Sequence, residues 1–171
     1  MPAVVEIDES NGSVETVTHG ILNSNYGSAD TVNLTASAAP ITAGQNSFEK
    51  AQRWHVTNMG GAVAVRAFRF YATPPAVNAA HYYNGSLAQA TYDSANHKIT
   101  AYAIPNTTAT RTPEAVLQAP PATANIGVAG SLVGELTAVG LTDYLYTQVR
   151  TSVSAVSGTL MTNSYRYEEV G

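Results

Sequence analysis

The chain has 171 residues and a formal net charge of −4, and only 12% of its residues are charged. The length suits one domain with a buried core, whereas the negative charge argues against non-specific nucleic-acid binding. The chain has no cysteine, which excludes disulfides and thiolate metal sites, and it has no apolar run of membrane-spanning length or signal-peptide type. We therefore expect either a soluble protein made in the cytoplasm or a secreted passenger that lacks its own signal, with no membrane partner.

The first segment, residues 1–13, mixes apolar and acidic side chains. The acidic residues in its centre are Glu6, Asp8 and Glu9. This segment is either a first strand or an N-terminal arm that reaches a neighbouring subunit. Residues 13–20 alternate in the manner of a strand, and residues 31–35 (TVNLT) predict a further short strand.

Residues 46–71 hold the only tryptophan and all three phenylalanines. Read as two strands joined by a turn at residues 58–61 (NMGG), they predict a β-hairpin, because glycine accepts a positive φ. The rival interpretation is a helix over residues 47–55. In the hairpin, alternation places four large side chains in the core: Trp54, Val56, Phe68 and Phe70.

The second half of the chain contains further strand and turn signals. Asn84-Gly85 predicts a tight hairpin turn, and residues 98–104 alternate as a strand. Residues 105–129 are rich in Pro, Ala and Thr and predict a long loop, with one helical turn over residues 113–117. The last predicted strands are residues 131–141, 143–154 and 159–169.

These elements predict an all-β fold without a convincing amphipathic helix. Roughly eight to ten short strands separated by turns indicate a single antiparallel β-sandwich, either jelly-roll or Ig-like, over residues 1–171.

The sequence contains no motif for catalysis or cofactor binding. There is no phosphate loop, nucleophile elbow or HExxH sequence, so we expect no enzyme, no catalytic residue and no cofactor. The four histidines are far apart and form no short ligand motif, so no metal site is expected. They are His19, His55, His81 and His97.

Half of the eight basic residues lie in the predicted hairpin: Lys50, Arg53, Arg66 and Arg69. Across a hairpin these side chains would cluster and face acidic groups of the same or another chain, such as Glu6, Asp8 and Glu9, or Glu168 and Glu169. The alternative is a solvated strand face. The candidate interaction residues are Glu6, Asp8, Glu9, Lys50, Arg53, Arg66 and Arg69.

Tyrosines on the predicted strands give a further alternative. If Tyr82, Tyr83, Tyr144 and Tyr146 are exposed, they and Trp54 could stack on sugars in a carbohydrate-binding module. Strand tyrosines more often pack in the core.

Several segments resemble a family of small structural proteins from tailed bacteriophages. In that family a segment similar to residues 46–61 (NSFEKAQRWHVTNMGG) follows an opening similar to residues 26–34 (YGSADTVNL). Residues 130–144 (GSLVGELTAVGLTDY) and the ending at residues 165–169 (YRYEE) are also similar. The likeness covers most of the chain beyond residue 25 but not the loop at residues 105–129.

This resemblance implies a β-sandwich component of the virion and carries over no catalytic residue. The expected function is a head decoration or cement protein that binds the major capsid protein or other virion proteins and copies of itself. A neck or tail component is the alternative. The low charge is consistent with a surface largely covered by neighbours.

Overall fold

The computed structural model describes most of the chain. The described residues are 1–12, 16–35, 37–73, 79–84, 92–93, 98–99, 114–115, 119–151, 153–154 and 162–171. Within these ranges the secondary structure consists of strands and turns without a helix, so the all-β prediction is confirmed. The described ranges contain no helix long and apolar enough to cross a membrane.

The described ranges contain twelve strands. In chain order they are β1 Val4–Asn11, β2 Thr16–Thr18, β3 Lys50–Asn58, β4 Ala64–Thr73, β5 Ala79–Asn84, β6 Tyr92–Asp93, β7 Lys98–Ile99, β8 Glu114–Ala115, β9 Glu135–Leu136, β10 Gly140–Leu141, β11 Leu145–Arg150 and β12 Thr162–Val170. Every pairing between them is antiparallel.

The strands form two main sheets. The larger has seven strands in the order β2-β1-β3-β11-β5-β8, with β10 also paired to β3. The second sheet has the order β12-β4-β9, and β6 and β7 form a separate pair.

The predicted hairpin over residues 46–71 is wrong in its pairing, although both of its strands and its turn exist. β3 pairs with β1, β10 and β11, whereas β4 pairs with β12 and β9. At the turn Gly60 has a φ of 59°, and the Ala62 amide donates to the Met59 carbonyl at 2.9 Å. The turn therefore carries the chain from one sheet to the other. Since Lys50–Asn58 is a strand, the rival helix is also excluded there.

The predicted core is confirmed. Trp54, Val56, Phe68 and Phe70 are all buried and belong to one hydrophobic cluster. The Trp54 ring meets the Phe68 ring edge-to-face at 5.9 Å between centroids. Trp54, Val56 and Leu145 come from the larger sheet and Phe68 and Phe70 from the smaller, so both sheets contribute to one core.

A β-bulge in β4 adjusts which side chains reach this core. Arg69 lies opposite Arg166 of β12, but Arg66 lies opposite Glu168, so β4 has one extra residue between the two pairs. Ala67 occupies this position with a φ of 53°. Strict alternation from Phe68 would turn Arg66 inward, whereas the bulge leaves Arg66 exposed.

Within the single chain, residues 1–13 contain a first strand, β1, which is one of the two alternatives predicted for this segment. β1 pairs with β3 from Val4 to Ser10 and with β2 from Glu9 to Asn11. β2, which pairs with β1, confirms the strand predicted within residues 13–20 over Thr16–Thr18, whereas residues 19–20 form a bend.

Two other segments differ from the predictions. Residues 31–35 form a turn, because Asn33 adopts a φ of 53° and its Oδ1 accepts hydrogen bonds from the Leu22 and Asn23 amides. Residues 131–141 do not form one strand: they contain β9 and β10, which belong to different sheets.

The predicted loop at residues 105–129 is described only in part. Within it, Glu114–Ala115 is a strand paired with β5, so a helical turn at these two residues is wrong. Near the end of this segment the Asn125 side chain hydrogen-bonds the backbone of Phe70 in β4. Its Oδ1 accepts from the Phe70 amide and its Nδ2 donates to the Phe70 carbonyl, each at 2.8 Å.

Strands predicted in the second half of the chain are confirmed in part. β11 and β12 confirm strands within residues 143–154 and 159–169, and β7 confirms the first two residues of the strand at 98–104. The second arm of the Asn84-Gly85 hairpin lies outside the described residues.

Candidate functional site

The pairing of β1 with β3 places charged residues on both faces of the larger sheet. Alternation sends Glu9 to the inner face, beside the core, and sends Glu6 and Asp8 to the outer face. On β3 the residue opposite Glu6 is His55, and the residue opposite Glu9 is Gln52. Two polar clusters result, one on each face.

The inner cluster is a buried hydrogen-bond network. Lys50 Nζ donates to Glu9 Oε1 at 2.6 Å, and Gln52 Nε2 donates to the other oxygen, Glu9 Oε2, at 2.7 Å. The Tyr165 hydroxyl of β12 donates to Gln52 Oε1 at 2.6 Å. Because Tyr165 belongs to the other sheet, this network links the two sheets by polar contacts within the interior.

The charges of this network are satisfied within one chain. The Lys50 and Glu9 side chains are 4% and 0% exposed, so their ion pair is shielded from water. A buried pair of this kind is costly to break, because removal of one partner leaves the other charge uncompensated. Burial also raises the pKa of the Tyr165 phenol far above its usual range.

The outer cluster brings two histidines to two carboxylates. His19 Nδ1 lies 2.8 Å from Asp8 Oδ2, and His55 Nδ1 lies 3.2 Å from the same oxygen and 3.2 Å from Glu6 Oε1. The Asp8 side chain is 1% exposed, whereas that of His19 is 60% exposed. The cluster is therefore partly open to solvent, most of all at His19.

Arg53 and two tyrosines lie elsewhere on the outer face. The Arg53 guanidinium lies over the Tyr144 ring at 4.7 Å from its centroid, and the Tyr144 hydroxyl is 2.7 Å from Ser10 Oγ. Tyr144 and Tyr146 are both buried, as strand tyrosines more often are, so these two do not meet the condition for stacking on a sugar. The structure does not describe the side chains of Tyr82 and Tyr83.

The four basic residues of the predicted hairpin do not form one cluster. Lys50 and Arg53 lie on opposite faces of β3, and Arg66 and Arg69 belong to β4 in the other sheet. Arg69 hydrogen-bonds Glu168 of β12 at 2.5 Å. Of the seven candidate interaction residues, Asp8, Glu9, Lys50 and Arg53 are buried, and Arg66 is exposed. A role of these residues in binding a partner stays a prediction.

No short motif in the sequence predicts that His19 and His55 lie close together. They are separated by a long connection, and their convergence depends on two strand pairings, β2 with β1 and β1 with β3. Alternation alone shows that Glu6 and Asp8 share a face, but it does not identify the strand that lies beside them.

Comparison of the chain with protein-family models, with characterised proteins and with solved structures gives no match.

Proposed function

We propose that the protein is a structural component of a bacteriophage particle, made in the host cytoplasm. Within that class we propose a head decoration or cement protein that binds the lattice of the major capsid protein in symmetric copies. The proposal rests first on the similarity of residues 26–34, 46–61 and 130–144 to phage structural proteins.

The structural observation that carries the proposal is that several charged side chains are buried while large apolar side chains are exposed. Asp8, Glu9, Lys50 and Arg53 are buried in a chain with few charged residues to begin with. Large apolar side chains are exposed instead, namely Met1, Val4, Leu22, Val63, Val133, Val139 and Val153. A surface poor in charge supports contacts with neighbouring proteins better than the turnover of a small substrate.

We also propose that the two sheets are the layers of one β-sandwich, with a jelly-roll or Ig-like topology. Support comes from the shared core, in which Trp54 of the larger sheet packs against Phe68 and Tyr165 of the smaller. Side chains that interdigitate between two inner faces are the defining feature of such a fold.

A carbohydrate-binding function has less support. Trp54 is 1% exposed, so it is not available to stack on a sugar, and Tyr144 and Tyr146 are buried as well. Stacking on sugars needs an exposed ring face.

Fractionation of purified phage tests the proposal. Particles are separated into heads and tails, and the protein is identified in each fraction by mass spectrometry. Purified protein is then sedimented with heads from its own phage and, as the control, with heads from an unrelated phage. We expect the protein in the head fraction and binding to its own heads alone.

Two other outcomes are informative. Recovery in tails alone would replace the decoration role with a neck or tail role. A monomer in sedimentation that binds neither heads nor tails, and is absent from particles, would refute the structural function.

A further inference from the structure

The outer cluster on β1 and β3 has the composition of a metal centre. Glu6, Asp8, His19 and His55 each present one ligand atom, and these four atoms all lie within 4.8 Å of one another. We propose that these four side chains bind one divalent transition-metal ion of the zinc class. The inference does not depend on a role in the virion.

The fold supplies the four ligands from three separate segments. Glu6 and Asp8 are two residues apart on β1 and therefore share its outer face. His55 lies directly opposite Glu6 on β3, and His19 follows β2, whose Thr18 pairs with Glu9. The strand pairings, and not a short sequence motif, bring the side chains together.

The contacts of His55 independently indicate a cation. Its Nδ1 atom is inaccessible to solvent and makes no hydrogen bond, although one oxygen of Glu6 and one of Asp8 are each 3.2 Å away. A buried nitrogen without a hydrogen bond is costly. A metal ion between this nitrogen and the two carboxylates would satisfy all three groups.

The Asp8 carboxylate is already oriented toward the same point. The Gly20 amide donates to its Oδ1 atom at 3.3 Å, and Oδ2 faces both histidines. Hydrogen bonds to the second oxygen of a ligating carboxylate are a regular feature of metal sites. Gly20 also leaves the space that Glu6 needs, because a Cβ atom at this position would lie 2.9 Å from Glu6 Oε2.

An ion can reach the cluster from outside. A cavity of about 420 Å³ is lined by Glu6 and Gly20 of this region and extends along residues 21–24 to Tyr165. The exposed ring of His19 borders solvent as well. The site thus has an entry path, which a metal centre requires.

The ligand set selects the class of metal. Two imidazoles and two carboxylates suit Zn²⁺, which takes four nitrogen or oxygen ligands in tetrahedral geometry, whereas Mg²⁺ and Ca²⁺ prefer oxygen ligands throughout. Four protein ligands leave no open position for a substrate. The ion would therefore have a structural role and would hold β1, β3 and the residue after β2 together.

Metal content and thermal unfolding of the full chain test this inference. The protein is stripped with a chelator, and Zn²⁺ or Mg²⁺ is then added. We expect one zinc ion per chain by elemental analysis, and a melting temperature that rises with Zn²⁺ but not with Mg²⁺, because an ion that binds only the folded state stabilises it.

Variants connect the effect to the site. His19→Gln and His55→Gln should each weaken zinc binding by about tenfold or more. His81→Gln removes a histidine from β5, two strands from β3, and should bind as the unaltered chain does. Circular dichroism confirms that each variant is folded, and His19→Gln changes the most exposed of the four ligands.

Two results would overturn the inference. One is a stripped protein that takes up no zinc and whose melting temperature Zn²⁺ leaves unchanged. This result would show that the cluster is held by contacts between histidines and carboxylates alone. The other is zinc binding of equal strength in His19→Gln, His55→Gln and the unaltered chain, which would locate the ion elsewhere.

Discussion

Trp54 connects the two sheets through its ring contacts. Its ring centroid is 5.9 Å from that of Phe68 and 5.4 Å from that of Tyr165, which belong to different strands of the smaller sheet. Such edge-to-face contacts add to the stabilisation from burial. We expect Trp54→Ala to lower the free energy of unfolding by about 3–5 kcal/mol, because it leaves a large cavity.

Urea denaturation followed by circular dichroism measures this effect, since the variant lacks the only tryptophan as a fluorescent probe. Leu22→Ala is the control, because Leu22 is 87% exposed and its truncation should change little. An unchanged urea midpoint for Trp54→Ala would mean that the side chain lies at the surface and would revive the sugar-binding hypothesis.

Tyr165 makes stability depend on alkaline pH. Burial raises the pKa of its phenol in the folded chain, while an unfolded tyrosine has a pKa of about 10. Above that pH the unfolded state loses a proton that the folded state keeps, so the stabilisation present below about pH 10 is lost as pH rises. At neutral pH Tyr165→Phe should be less stable, because Gln52 loses its hydrogen bond.

The measurement is the free energy of unfolding of both proteins across this pH range. The difference in free energy of unfolding between the unaltered chain and Tyr165→Phe should narrow by about 1.4 kcal/mol from about pH 9 to about pH 11. This is the change expected when the unfolded state alone releases one proton over this range. A difference that stays constant would show that Tyr165 ionises in the folded chain as readily as in the unfolded chain.

At the scale of a single strand, the bulge in β4 carries a local strain. Ala67 adopts a φ of 53°, a conformation that costs an L-residue about 1–2 kcal/mol and that glycine adopts freely. We expect Ala67→Gly to raise the free energy of unfolding by about 0.5–1 kcal/mol. Glycine relieves the backbone strain, but it loses more conformational entropy than alanine on folding, which offsets part of the stabilisation.

The matched control is Ala72→Gly in the same strand. Ala72 is fully buried and has no positive φ, so glycine there should destabilise the chain by about 1 kcal/mol. Thermal unfolding of both variants separates the two effects. If both variants are destabilised equally, the bulge is not strained.

The sequence predicts the existence of strands better than their partners. Alternation identified β3, β4 and β12, and it placed Trp54 and Phe70 correctly in the core, because a period of two is a property of each strand alone. Pairing depends on the whole fold, so the contact of β4 with β12 had no local signal. The turn at Asn33 was missed for a different reason: its apolar neighbours resemble a strand, and only the tertiary contacts show its turn.

The same limit applies to the candidate sites. The charge pattern identified Lys50 in a basic group and Glu9 in an acidic group that could face each other, and the structure shows this contact within one chain at 2.6 Å. The charge pattern could not show that the pair is buried, because Lys50 and Gln52 share one face of the strand and a face with such polar side chains is usually exposed. The meeting of His19 with His55 likewise needed the strand order.

At the scale of the whole molecule, β1 is an interior member of the larger sheet. It lies between β2 and β3, and it supplies Ile7 to the core and Glu9 to the buried network. Deletion of residues 2–12 should therefore abolish cooperative thermal unfolding, because β3 loses a neighbour and Lys50 loses its counter-ion.

Head binding of the same deletion variant gives the second measurement. A variant that keeps its melting temperature but no longer binds particles would contradict the interior position of β1 and would support the arm. As the control, Val4→Ala retains the strand and shortens a side chain that is 53% exposed.

The separation of β3 from β4 has a consequence for how fast the chain folds. Consecutive strands that cross from one sheet to another cannot form an early hairpin, so each must wait for distant partners: Phe70 for Tyr165, and Ala51 for Tyr146. Closing such long loops costs entropy before any contact repays it, and folding rates fall as contacts become more distant in sequence. On the ribosome, the smaller sheet stays incomplete until β12 has emerged, and until then β4 lacks the strand that pairs with it from Ala64 to Thr73.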